Sequence, residues 1–251
     1  MRYLKTNNRN WRKLCKGEIQ VEQLKIDINK ERVRDLEKPI LFNTEMVKAI
    51  LEGQKTCTRR IIKKKYSNTD IDFHEDKHGK RLVEIQNDAP APRKNPNGTT
   101  TYSMVAMKEI KKPYDAGDIL YVRETWIMQS MSNFDKKAKF LFKAEPNEKL
   151  KEVMLSSDRY EDLIKYSYKK GWQPSLFMPK EAARIFLKVT NVRAERIQDI
   201  TEDQIKKEGI IEEFPPLAED AFRELWDSTT KDYKWCLNPW VWVIEFERIE
   251  K

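Results

Sequence analysis

Histidine and cysteine are scarce in this chain, and this limits the chemistry that it can carry out. Two of its 251 residues are His and three are Cys. Cys15, Cys57 and Cys236 are far apart and form no CxxC pair, which excludes a cysteine-built zinc site and favours a reducing compartment. His74 and His78 lie four residues apart in a polar segment that has no clear third ligand, so we expect no metal and no other cofactor.

Long apolar runs are also missing. No stretch approaches the roughly 20 apolar residues of a membrane-spanning helix, and no apolar run follows the basic N-terminal segment, so we expect neither a secretory signal nor a membrane partner. We therefore expect a cytoplasmic protein. A formal net charge of +8 favours anionic partners such as nucleic acid.

The first part of the chain is the most highly charged. Residues 1–38 contain an amphipathic pattern from Val21 to Leu36 and end at Pro39, where a new pattern begins. We interpret them as an appendage. Residues 39–251 are long enough for one elaborated domain, and we predict a single domain there.

Two polar segments interrupt that domain, at about 63–113 and about 128–170, and they read as insertions. The first contains the strings HEDKHGK and APAPRKNPNG. One β-hairpin, between 82–85 and 102–105, is predicted inside it.

The stretch with the clearest helix start and stop signals begins directly after the appendage. A strand is predicted at Ile40 to Phe42, followed by a helix that Asn43 or Thr44 caps and Gly53 ends. Further strands are predicted at 119–124, 184–195 and 240–247, and further helices at 201–209 and 218–226. Few helices, scattered strands and no βαβ rhythm predict an α+β protein, built as a mixed β-barrel with flanking helices.

The strip KTCTRR, residues 55–60, follows the Gly53 turn. It reads either as a basic edge strand with a small buried Cys57, or as a nucleophile and its base, because a lysine beside other cations can accept a hydroxyl proton. Histidine-dependent catalysis is nearly excluded, which leaves a lysine or a carboxylate as the base.

Lys55 and Thr58 would face opposite sides of an ideal strand. The pair therefore requires Lys55 to lie in the turn, or a β-bulge between the two residues.

Glu208 is predicted in the last turn of the helix that Thr201 caps. The negative end of the helix dipole disfavours a carboxylate there and should raise its pKa unless a cation is close. The alternative is an exposed Glu208 balanced by Lys206 or Lys207.

These motifs resemble a known family. GQKTCTRR after a capped helix, AGDILYV, TEDQIKKEG and VWVIEF resemble, in that order, the ASCH family, a PUA-like β-barrel relative of RNA-binding and modified-base-reading domains. The longer strings PILFNTEMVKAILEGQKTCTRR, VRETW, WQPSLFMPKEAARI and NPWVWVIEF are similar to a branch that is common in bacteriophages and prophages. The resemblance spans about 39–248 and omits both insertions.

Small bacterial members of this family hydrolyse N4-acetylcytidine with a Lys, a Thr and a Glu. The resemblance places these roles on Lys55, Thr58 and Glu208, and the arginine of the motif on Arg60. It implies that Lys55 deprotonates Thr58, that Thr58 attacks an amide carbonyl on the exocyclic nitrogen of cytosine, and that Glu208 exchanges protons or orients Lys55.

Other members are proposed to bind or to cleave RNA, so several functions stay open: a hydrolase of an acylated nucleobase or nucleoside, an RNA or modified-base binding module, a metal-independent ribonuclease, or a phage accessory protein with a vestigial cleft. The candidate substrate or nucleic-acid contacts are Arg59, Arg60, Arg123, Glu124, Trp126, Trp172 and Ser175. Trp126 and Trp172 are by residue type more often core residues, although an exposed Trp172 ring beside Pro174 could stack on a base.

Overall fold

The structure is a computed structural model that describes residues 37–67, 69–76, 79–86, 93–94, 100–101, 107–145, 150–210 and 215–251. The predicted helix at Val21 to Leu36 lies outside the described residues. Glu37 and Lys38, which were assigned to the appendage, instead begin the first described strand.

Strands predominate in the described residues. They are β1 (Glu37–Leu41), β2 (Cys57–Ile61), β3 (Thr69–Asp76), β4 (Gly79–Gln86), β5 (Arg93–Lys94), β6 (Thr100–Thr101), β7 (Met107–Glu109), β8 (Ile119–Arg123), β9 (Trp126–Ser132), β10 (Lys137–Phe142), β11 (Lys151–Met154), β12 (Phe186–Arg196) and β13 (Trp240–Ile249). The α-helices are α1 (Thr44–Leu51), α2 (Ser157–Ser167), α3 (Glu202–Lys207) and α4 (Pro215–Thr229). The fold is therefore α+β, as predicted. None of the described helices combines the length and the apolar composition that a bilayer crossing requires.

The largest sheet has the strand order β1-β8-β12-β13-β2. β1 runs parallel to β8, and the remaining neighbours are antiparallel. No backbone pairing joins the two edge strands β1 and β2 in the described residues, so a closed barrel is not formed there. A side chain spans the gap instead, because Arg60 in β2 donates a hydrogen bond of 2.5 Å to the Leu41 carbonyl in β1.

Alternating apolar residues explain how this sheet covers the core. In β12, Leu187 and Val189 are buried while Lys188 between them is exposed. A β-bulge after Val189 shifts the register against β13, so that Val192 also faces inward. Helix α1 packs on the same core through its buried Val47.

The first insertion is a small sheet with the order β3-β4-β7. Of the predicted hairpin, residues 82–85 lie in β4, which pairs with β3 on one side and with β7 on the other. Residues 102–105 lie outside the described part of the chain. The insertion is anchored to the large sheet, since Ile71 and Leu82 join its core and the Trp240 indole donates to the Ile71 carbonyl.

The second insertion is folded and has a core of its own. Strands β11-β10-β9 form an antiparallel sheet that packs with α2 around Trp126, Phe140 and Leu163. The composition concealed this because β10 alternates lysines with inward-facing residues. Interpreting 128–170 only as a polar excursion missed a domain-like layer.

Candidate active site

The end of helix α1 places Lys55. Asn43 caps the helix by accepting a hydrogen bond from the Met46 N–H, and Gly53 turns the chain with φ of +76°. The Lys55 N–H then donates to the Ala49 carbonyl at 3.0 Å, two residues before β2 begins at Cys57. Lys55 therefore lies in the turn and not in the strand, which is the position that the Lys55 and Thr58 pairing requires.

The end of helix α3 places Glu208. Thr201 and Gln204 form the predicted capping box at the start of the helix, and Glu208 is its C-terminal cap. The Lys207 carbonyl accepts a hydrogen bond of 2.9 Å from the Thr56 N–H, and Lys55 and Glu208 form an isolated antiparallel bridge. Glu208 and Lys55 are thus brought together by backbone contacts before any side chain is considered.

Two cations share the Glu208 carboxylate. Lys55 Nζ lies 2.5 Å from Glu208 Oε2 and donates to the Glu208 carbonyl at 2.9 Å, while Arg59 Nη1 lies 3.0 Å from Oε1. The three side chains are 1%, 6% and 1% exposed for Lys55, Glu208 and Arg59. The alternative of an exposed Glu208 is therefore wrong. The lysine and the arginine also offset the unfavourable placement of a carboxylate at the negative end of a helix.

Thr58 lies on the opposite face of β2 from Arg59. It is paired with Ile244, whose side chain belongs to the core of the large sheet. Thr58 is 2% exposed, and its hydroxyl has no hydrogen-bond partner within the described part of the chain.

The ring of Phe42 lies near both Lys55 and Arg60. Lys55 Nζ lies 6.0 Å from the ring centroid and the Arg60 guanidinium carbon lies 5.2 Å from it. Arg60 shares the Thr58 face of β2, because it is paired with Trp242 as Thr58 is paired with Ile244. Trp242 and Ile244 both belong to the core of the large sheet, so this face of β2 is directed toward that core.

Cys57 takes no part as a nucleophile in this arrangement. Burial, together with the nearby Glu208 carboxylate, raises the pKa of the Cys57 thiol to about 12. A thiol with such a pKa is not ionised at neutral pH, and the thiolate is the reactive form. The interpretation of Cys57 as a small buried strand residue is thus the one the structure favours.

Arg59 was predicted as a substrate or nucleic-acid contact, and the structure places it differently. Its Nε and Nη2 donate to Glu195 at 3.1 and 2.7 Å, Nη2 donates to Gln204 at 2.7 Å, and Nη1 donates to Glu208. Its guanidinium carbon also lies 5.9 Å from the centroid of the Phe222 ring. With its donors engaged and its side chain buried, Arg59 supports Glu208 from behind and does not face a ligand.

Two other predicted contacts are also in the interior. Trp126 is 0% exposed, and its ring packs against Phe140 and Tyr166 at centroid distances of 5.7 and 5.2 Å, so it cannot stack on a base. Glu124 is 1% exposed and forms a two-pronged ion pair with Arg184 at 2.9 and 3.0 Å. Burial raises the pKa of Glu124, and the arginine opposes this effect.

The remaining predicted contacts have accessible surface. Arg60 is half-buried, and burial lowers its pKa. Arg123 is paired with Leu41 across β1 and β8 and donates to the Leu176 carbonyl at 3.1 Å, which connects it to the short 3₁₀ helix Ser175–Phe177. Trp172 is 39% exposed, and Ser175 is half-buried.

Sequence reasoning missed Phe42, Glu195 and Gln204. Gln204 was assigned only to the capping box, although its Oε1 accepts from both the Thr201 N–H and Arg59. Only Glu195 could have been found from a local pattern. It follows Arg193 at a spacing of two in β12, so the two side chains lie on the same face of the strand and can form an ion pair. No group of three or more His, Cys, Asp or Glu within the described residues is arranged to hold a metal ion.

Gly209 should be essential to the packing of the Lys55 turn. Its φ is +88°, and an added Cβ would meet Ala49 Cβ at 3.0 Å and Lys55 Cβ at 3.2 Å. We expect Gly209→Ala to lower the free energy of unfolding by about 2 kcal/mol, through backbone strain and overpacking, and to displace Lys55 from Glu208. Denaturant unfolding measures the loss. Gly171→Ala is the matched control, because φ is +79° there and an added Cβ would meet nothing within 4 Å; equal losses for both variants would refute the contact with Lys55.

No protein-family model, curated protein or solved structure matches the chain. The likeness to the ASCH family rests on the sequence motifs alone and stays a prediction.

Proposed function

We propose that this protein is a hydrolase that removes an acyl group from the exocyclic amine of a cytosine nucleobase or nucleoside. The contact between Lys55 Nζ and the Glu208 carboxylate, in a buried turn directly before the strand that carries Thr58, supports this proposal most strongly. We also propose that the five-stranded sheet belongs to the PUA-like β-barrel class, with the gap between β1 and β2 as the substrate entrance.

The reaction needs a nucleophile, a base and a proton donor, and three side chains supply them. Lys55 passes a proton to Glu208 and takes the proton of the Thr58 hydroxyl, whose oxygen attacks the acyl carbonyl. The bond from carbon to the cytosine N4 breaks as N4 receives a proton from the lysine and glutamate pair. Water then hydrolyses the Thr58 ester, which releases a carboxylic acid and restores the hydroxyl.

Arg60 and Phe42 fit a role in substrate binding. The guanidinium lies against the Phe42 ring on the face of β2 that carries Thr58, and it retains some exposure. Arg60 would donate to the carbonyl oxygen of the pyrimidine, while the buried Phe42 ring holds the guanidinium from the inside of the fold. The site needs no metal for this chemistry, since lysine and carboxylate move the protons.

The proposal is tested by incubating the native protein with N4-acetylcytidine and separating the products by chromatography. We expect cytidine and acetate in equal amounts, formed at a rate proportional to protein concentration. N6-acetyllysine, an amide without a pyrimidine, serves as the control and should remain intact. Absence of cytidine at high protein concentration would reject the proposed reaction.

A second candidate function, binding of RNA or a modified base without turnover, is supported by a different surface. Three apolar side chains in one short segment are 39% to 57% exposed, namely Trp172, Leu176 and Phe177, and Arg123 donates to the carbonyl of the middle one. Exposed rings beside an arginine suit stacking with single-stranded bases. This alternative predicts oligonucleotide binding that weakens steeply with salt and leaves N4-acetylcytidine unchanged.

A further inference from the structure

Behind the candidate site lies a chain of alternating charges. Glu208 contacts Arg59, Arg59 contacts Glu195, Glu195 contacts Arg193 at 3.1 Å, and Arg193 contacts Glu245 at 2.5 Å. Exposure rises along this chain, from 1% for the Arg59 side chain to 13% for Glu195 and 32% for Arg193. This series of ion pairs therefore connects the buried site to the surface. Lys55 and Arg59 are its two innermost cations, and both contact Glu208.

We propose that Arg59 is a positioning residue, which holds the Glu208 carboxylate so that one oxygen accepts from Arg59 and the other from Lys55, and which thereby fixes the position of Lys55 Nζ. This inference rests on the proposed function, because Lys55 and Glu208 are the groups that do the proposed chemistry. Arg59 touches no substrate position itself, since it lies on the opposite face of β2 from Thr58.

The fork of the guanidinium is essential to this role. Its Nη1 reaches Glu208, while Nε and Nη2 reach Glu195, and Nη2 also reaches Gln204. A lysine ammonium could keep the positive charge, but it could not reach three acceptors in these directions. Arg59→Lys therefore keeps the charge and removes the geometry, so a folded Arg59→Lys with reduced kcat separates positioning from charge alone.

The test compares Arg59→Met and Arg59→Lys with Arg159→Met, which removes an arginine that pairs with Glu181 in a different layer of the fold. With N4-acetylcytidine as substrate, we expect kcat to fall about a hundredfold in both Arg59 variants, because small misplacements of reacting groups have effects of that size. We expect KM to stay within about twofold, since a group acting only on the chemical step leaves uniform binding intact. Arg159→Met should leave both constants unchanged.

A second measurement does not depend on turnover. In ¹⁵N–¹H spectra of the lysine ammonium groups, Lys55, assigned by its loss in Lys55→Met, should give a protected signal because it is buried and bonded to Glu208. Both Arg59 variants should shift or lose that signal while Arg159→Met keeps it. If Arg59→Met does not fold, Arg59→Lys decides the matter, since it keeps the charge.

The outcomes separate the two proposals. A native protein without turnover refutes the hydrolase, and the ammonium spectra then decide the role of Arg59 alone. A folded Arg59→Lys with native kcat and an unchanged Lys55 signal would overturn the positioning role, as would a native protein whose Lys55 shows no protected signal.

Discussion

Replacing Thr58 with Val is expected to abolish hydrolysis of N4-acetylcytidine while leaving the protein as stable as before. Thr58 lies in β2 against apolar neighbours, and its hydroxyl makes no hydrogen bond within the described residues. Valine has the same branched shape, so removing the hydroxyl leaves no partner unsatisfied. Removing a nucleophile typically lowers kcat by at least about a thousandfold. The measurement is kcat together with the free energy of unfolding.

Thr58→Ser is the matched control for this change. It keeps the hydroxyl and removes a buried methyl group, so the loss of stability should be about 1 kcal/mol. Hydrolysis should persist at a reduced rate, because a serine oxygen can still attack. Native turnover in Thr58→Val would show that the Thr58 hydroxyl is not the nucleophile. Thr58→Ser as inactive as Thr58→Val would count against it in the same way.

Replacing Lys55 with Met should remove both activity and stability. The Glu208 carboxylate would keep only Arg59 as a partner, and the Glu208 carbonyl would lose its ammonium donor. Breaking one side of a buried ion pair usually lowers the free energy of unfolding by about 3 to 5 kcal/mol. Turnover should fall to the level of Thr58→Val, because no base remains. Denaturant unfolding and kcat measure the two losses.

Two further variants show whether that loss comes from the ion pair. In Lys55→Met combined with Glu208→Gln, the buried charge is removed as well, so the double variant should be more stable than Lys55→Met alone. Lys188→Met, which removes an exposed lysine that pairs with Glu247 at 3.1 Å, should change stability little. Equal stability of Lys55→Met and the native protein would contradict the buried pair.

Local patterns predicted the elements that frame the site. The Asn43 cap, the Gly53 stop and the capping box of Thr201 are short-range signals, and each was confirmed. The strands β8, β12 and β13 followed from alternation of apolar residues. Strand geometry also requires Lys55 to lie in a turn, and the structure meets this requirement.

Partners that are distant in sequence explain what could not be predicted. Arg59 meets Glu195 and Glu208 across separations of 136 and 149 residues, and nothing next to Arg59 in the chain indicates that its donors are occupied. It therefore read as a ligand contact. Trp126 is a core residue and not a base contact, and the rings that enclose it belong to an insertion whose lysines concealed its alternation.

The most direct test of the account is a rapid-quench experiment in which the native protein exceeds N4-acetylcytidine in concentration. Peptide mass spectrometry of the quenched samples locates any acetyl group, and chromatography times the release of cytidine and acetate. We expect cytidine to appear before acetate, with a transient acetyl ester on Thr58. Simultaneous release of cytidine and acetate without acetylated Thr58, or an acetyl group on Lys55, would contradict it.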